Sequence, residues 1–175
     1  MKRRTPCNLQ LNMDAFAVLA FLLDKRERLL LRLLCKSHME DPYIFMTNEE
    51  ALRLSIFNCH EQVACARIEA GADVNKAYNN RFTPLTMSAK RGLQQVTLKL
   101  IEAGAVVDKA GPGGITALMF AIFRDREQVV CALINAKANL DVKDDRGDTA
   151  FMIAARNGHQ KIALALIQAG ASIRI

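Results

Sequence analysis

TPLTMSAKRG, residues 83–92, starts as a helix should. Thr83 offers a side-chain oxygen to the free amides of a first turn, and Pro84 fits that turn because an N–H there would have no partner anyway. It ends less conventionally, with Lys90 and Arg91 crowded directly before Gly92. Whether the two cations decorate a helix end or belong to a surface depends on whether the stretch stands alone. It does not: Thr83 recurs as Thr116 and Thr149, and Gly104 has Gly71 behind it and Gly170 ahead, all at 33 residues or a multiple of it. A fixed period of this length denotes a stacked array in which each unit covers the apolar face of the next.

Each unit holds two short segments of helical periodicity. In the second, Leu85 and Ala89 lie four apart on one face, and Val96, Leu100 and Ile101 make the stripe of the following helix. Gly92 and Gly104 stand where each helix must stop with positive φ, a conformation costing other residues about 1 kcal/mol or more. Small Ala89, Ala121 and Ala155 let adjacent units approach. The period, the TPL start, the helix-breaking glycines and the LIEAGA and GADVN endings resemble the ankyrin repeat over residues 47–175. The resemblance implies an all-α solenoid of four repeats, with paired antiparallel helices and hairpin loops projecting from one edge.

Several positions depart from the pattern. Lys137 replaces the glycine of positions 71, 104 and 170, and Asp125 that of 92 and 158, so local strain is expected in the third unit. Arg67 occupies the slot of Leu100, Leu133 and Leu166; either it snorkels to solvent or the first unit is not an ordinary repeat. Thr86, Met119 and Met152 stand where the family has a histidine, which puts a common hydrogen bond in doubt.

At 175 residues and 51% hydrophobic content the chain can bury a core. A net charge of +6 permits acidic partners without selecting among them. Five dispersed cysteines and no C-x-x-C pair indicate a reducing compartment, read here as cytoplasmic. The apolar run Ala15 to Leu23 falls short of the roughly 20 residues a membrane span needs. Lys2, Arg3 and Arg4 precede that run as in a signal peptide, but Asp14 and the DKRER that follows argue against one.

Residues 1–10 read as a disordered tail and 11–46 as a helical cap. As a degenerate repeat, the cap sets Leu19, Leu30 and Leu34 over positions 52, 63 and 67, with DKRER as its turn. It also resembles an F-box, which docks on the adaptor subunit of cullin-RING ubiquitin ligases. Leu11, Asp14, Leu19, Leu23, Glu27, Leu34, Cys35 and Lys36 fall at that motif's positions, whereas Asn12, Arg28 and His38 depart from it. That resemblance implies a ligase adaptor of the kind intracellular bacteria deliver into host cells, acting in the host cytosol.

No constellation supports catalysis, a cofactor or a metal. His38, His60 and His159 are dispersed, and GPGG at 111–114 lacks the Lys-Ser/Thr of a phosphate loop, which leaves a hairpin turn. Arg146-Gly147-Asp148 is an integrin-like tripeptide, yet Gly147 is also the turn glycine one period after Gly114. Asp141, Asp144, Asp145 and Asp148 lack Ca²⁺-loop spacing and read as a solvated turn.

The chain therefore reads as a non-catalytic protein-interaction module. The resemblance places the two residues before each helix-ending glycine on the concave face: Phe57-Asn58, Lys90-Arg91, Phe123-Arg124 and Arg156-Asn157. Either the phenylalanines tuck between units, or they and the arginines form a partner groove that hairpin residues Asn80, Phe82, Ile115, Asp145 and Arg146 extend. Lys90, Arg91, Arg124 and Arg156 make such a groove positive, suited to an acidic peptide or protein surface. Nucleic acid is the weaker alternative, with neither a stacking platform nor a dense basic helix. The apolar KIALALIQAG near the C-terminus points to self-association.

Overall fold

The computed structural model describes residues 46–78 and 81–173. The expected tail, the helical cap with its capping-repeat and F-box readings, and Asn80 lie outside them. Among the described residues there are eight α-helices and no strand. They come in pairs: α1 (Asn48–Phe57) with α2 (Glu61–Glu69), α3 (Pro84–Arg91) with α4 (Gln94–Glu102), α5 (Ala117–Phe123) with α6 (Glu127–Asn135), and α7 (Ala150–Arg156) with α8 (Gln160–Gln168). First helices pack on first helices along the array and second on second, giving two helical layers with one core between them. Leu52, Leu85, Leu118 and Ile153 fill it from the first layer, and Val96, Leu100, Leu133 and Leu166 from the second.

The repeat is enforced by backbone hydrogen bonds. Each first helix closes with an amide reaching back five residues: His60 to Ser55, Leu93 to Ser88, Arg126 to Ala121 and His159 to Ala154, all within 2.8–3.0 Å. Second helices do the same from Ala72, Ala105, Ala138 and Ala171. These closures require a left-handed residue just before the donor. Gly92, Gly104, Gly158 and Gly170 supply it, and so do the expected departures Asp125 (φ 54°) and Lys137 (φ 62°). Cys59 (φ 60°) and Arg81 (φ 64°) share the conformation, which their side chains do not announce. Gly92 has a second constraint, because a Cβ there would lie 2.6 Å from Cδ of Arg126 in the next repeat.

Hairpins join the pairs in the same register: the amides of Tyr78, Gly111 and Asp144 donate to the carbonyls of Phe82, Ile115 and Asp148 at 2.8–3.0 Å. One repeat is clipped to the next by a polar side chain at positions 75, 108 and 141. Oδ1 of Asn75 accepts the amide of Val106 at 2.8 Å, Oδ1 of Asp108 that of Asn139 at 2.9 Å, and Oδ1 of Asp141 that of Ser172 at 2.8 Å. Ion pairs Glu69–Lys99 at 3.1 Å and Glu127–Lys161 at 3.4 Å, and a 3.2 Å contact between His159 Nδ1 and the Asp125 carboxylate, add contacts across the same boundaries.

Four expectations change in detail. Ala155 is exposed; Ala154, in register with Ala121 and Ser88, is the small residue that meets the neighbour. Arg67 is half-buried and sends its guanidinium to Oδ1 of Asn48 at 3.3 Å, so it snorkels out of the leucine slot. Thr86 restores the bond expected to be lost: its Oγ1 accepts the Thr83 amide at 2.8 Å while Thr83 Oγ1 accepts the Thr86 amide at 3.2 Å, a reciprocal capping box. Finally, the acidic turn is only half solvated, because Asp144 and Asp148 are buried. Oδ1 of Asp144 accepts the amides of Arg146 and Asp148, both at 2.9 Å.

Candidate interaction face

Helix α1 begins three residues earlier in the repeat frame than α3. The cause is local: Thr47 Oγ1 accepts the Glu50 amide at 3.3 Å, capping a turn that the later repeats lack. That turn presents a carbonyl to the first hairpin. The Tyr78 hydroxyl donates to the Glu49 carbonyl oxygen at 3.1 Å, and burial pushes the phenol up to about 12, so it stays a donor at neutral pH. Arg53, one turn further along α1, lies 5.9 Å from the centroid of the same ring.

The cations that close α3 face two other ring groups. The Arg91 guanidinium sits 4.5 Å above the Phe57 centroid. Lys90 Nζ lies 5.1 Å from the Phe82 centroid and 5.8 Å from that of Phe120, two rings that are themselves packed 5.4 Å apart. Between α1, the first hairpin and α3 lies a cavity of about 500 Å³, walled by Phe57, Tyr78, Phe82 and Met87. Arg53, Lys76, Lys90 and Arg91 contribute positive charge to it, and Glu49 and Glu50 negative. Among the described residues no ion pair joins any of the four cations to a carboxylate.

Of the residues expected to bind a partner, Phe57, Phe82, Lys90 and Arg91 thus come together at one cavity. Phe123 and Arg124 are exposed two repeats beyond Phe57 on the same helix-end column, and neither phenylalanine tucks between units: Phe57 is 54% and Phe123 42% exposed. Asn58 and Asn157 are exposed at their helix ends, as is Arg146 on the third hairpin. Ile115 packs partly against the core. Asp145 is exposed, and its amide ties the third hairpin to the Gly113 carbonyl of the second at 3.0 Å.

Arg156 differs from the other cations of the column in having a partner inside its own repeat. Its guanidinium grips both carboxylate oxygens of Asp148 at 2.6 Å, so its charge is spent within the repeat. That grip holds the Asp148 carboxyl below the usual carboxylate range. It also removes the tripeptide 146–148 as an adhesion motif, since the aspartate is only 12% exposed and already paired.

Sequence reasoning missed Glu49, Glu50, Arg53, Lys76, Tyr78 and Met87. Two signals were present. Thr47-x-x-Glu50 is a capping-box pattern that moves the helix start upstream. Tyr78 stands where later hairpins have Gly111 and Asp144, an aromatic in a slot that otherwise holds only turn formers.

Paired helices stacked in two layers at a 33-residue period, with a hairpin at each junction, define a helical-repeat solenoid. A family model described as ankyrin repeats in three copies matches residues 99–175, and the same five-residue closures run back through the first pair, so residues 99–175 are ankyrin repeats and the helix pairs before them continue the same architecture. No curated protein matches it. Arrays of this family are in general protein-interaction modules and not catalytic domains. Among the described residues no helix is long and apolar enough to cross a membrane.

Proposed function

We propose that the chain is a non-catalytic module that holds one protein partner on the face formed by its first helices and hairpins. The observation behind this reading is the column of Phe57, Lys90-Arg91 and Phe123-Arg124. It leaves two phenylalanines exposed beside cations, at positions that repeat stacking does not require. An exposed ring supplies apolar area and an arginine a planar donor, and aromatic residues and arginine are both enriched at protein interfaces. With Arg156 neutralised by Asp148, the positive field of this face is concentrated at Lys90, Arg91 and Arg124, which favours a partner with an acidic surface.

Replacing Phe123→Ala together with Arg124→Ala tests the reading. Capture of partner proteins from a cell lysate should fall, while the thermal midpoint stays within a few degrees, because neither side chain is buried. A large loss of helicity, or undiminished capture of every partner, would count against it.

A further inference from the structure

We propose that the cavity between α1, the first hairpin and α3 is the anchor of this face, and that it takes an acidic side chain of the partner beside an apolar one. The proposal deepens the interaction-face reading and rests on it. Three of the four cations lining the cavity are held over aromatic rings: Arg53 over Tyr78, Lys90 over Phe82 and Phe120, and Arg91 over Phe57. A cation held by a ring face keeps its N–H donors, because the ring contributes a quadrupole and not a hydrogen-bond acceptor. None is paired with a carboxylate among the described residues, although Glu49 and Glu50 stand four and three residues before Arg53, the spacing at which helix pairs form.

The site is therefore built and not fully neutralised. Long side chains normally lose rotamer freedom on binding an anion, and here the rings have already restricted them. Four cations against two acids leave a net charge of +2 around the cavity. That excess favours an anion, and on a protein partner the anion its own side chains supply is a carboxylate. The apolar neighbour is called for by the exposed Phe57 ring and by Met87, whose flexible thioether adapts to varied side chains.

The test uses the full chain and fluorescein-labelled Gly-Ser peptides with a central Glu-Phe-Asp, Gln-Phe-Asn or Glu-Ala-Asp core, titrated by fluorescence anisotropy at low salt. The Glu-Phe-Asp probe should bind saturably and weaken as salt rises. The amide probe should bind at least about tenfold more weakly, as expected when a charge-assisted bond is lost, and the Ala probe several-fold. Arg91→Gln should reduce binding of the acidic probe, and Glu49→Gln with Glu50→Gln should increase it. Lys137→Gly, outside both the cavity and the column, should leave it unchanged. Equal affinity for the acidic and amide probes, no binding of either, or a normally melting Arg91→Gln protein with full affinity would each overturn the proposal. If in those cases the Phe123→Ala, Arg124→Ala protein still loses its captured partners, the broader interaction face stands and only the anchor falls. Should Arg91→Gln fail to fold, the paired glutamate variant decides by itself, since unchanged affinity there overturns the charge argument.

Discussion

At the scale of single residues, this fold turns on which side chains tolerate the left-handed backbone that ends a helix. Gly71, Gly92, Gly104, Gly158 and Gly170 adopt it at helix ends without a Cβ penalty, whereas Cys59, Asp125 and Lys137 adopt it there with one, as Arg81 does in the first hairpin. Lys137 is the clearest case, because it is exposed and its three counterparts are Gly71, Gly104 and Gly170. Its amide still bonds the Ile134 carbonyl at 2.9 Å, and that of Ala138 the Leu133 carbonyl at 3.1 Å, so the turn forms in spite of the strain. Lys137→Gly should remove that strain and stabilise the protein by about 1 kcal/mol, raising the thermal midpoint by roughly 2–4 °C for a chain of this size. A lowered midpoint would show that the lysine makes compensating contacts. Sequence exposed this site because a non-glycine stood in a column of glycines. It hid Cys59 and Arg81, since one substituted residue reveals its φ only when the repeat register is followed through every unit.

At the scale of elements, the joints between repeats depend on a short polar side chain after each second helix. Asn75 is the most connected: Oδ1 accepts the Val106 amide at 2.8 Å, Nδ2 donates to the Gly104 carbonyl at 3.1 Å, and the Asn75 carbonyl accepts from Lys109 Nζ at 2.8 Å. Asn75→Ala deletes the two side-chain bonds and should cost about 1–2 kcal/mol, seen as faster amide exchange at Val106 in particular. Asn75→Asp retains the acceptor used at positions 108 and 141, so it should restore protection at Val106 while leaving the Gly104 carbonyl without its donor. If both variants exchange alike, the clip is incidental. GADVN was legible as a repeat ending, but its role as an inter-repeat clip was not, because a bond that spans 31 residues leaves no local pattern. The same limit applies to the candidate cavity. Phe57, Phe82, Lys90 and Arg91 could be named from register, whereas Tyr78 and Glu49 meet only after the extra turn of α1 brings a carbonyl to the first hairpin.

At the scale of the array, each repeat touches its neighbours and little else, so stability should be a sum of unit and interface contributions. The first and last described pairs differ in kind. The first carries Arg67 in place of a core leucine, and α8 leaves Leu164 59% and Ile167 46% exposed. The second and third pairs are each covered by a repeat on both sides, and Leu100 and Leu133 are wholly buried in them. Leu100→Ala places a cavity there and should cost about 2–5 kcal/mol. In a one-dimensional array the damage should grade with distance: protection of the α4 amides should fall most, that of α2 and α6 next, and that of α8 least. Hydrogen exchange resolved by segment measures this gradient. A uniform loss across all four helices would mean instead that the repeats unfold as one block, with interface terms large enough to erase the difference between units. Binding at the candidate cavity should weaken with the same mutation even though Leu100 does not line it, because α3, which carries Lys90 and Arg91, is held in place by α4.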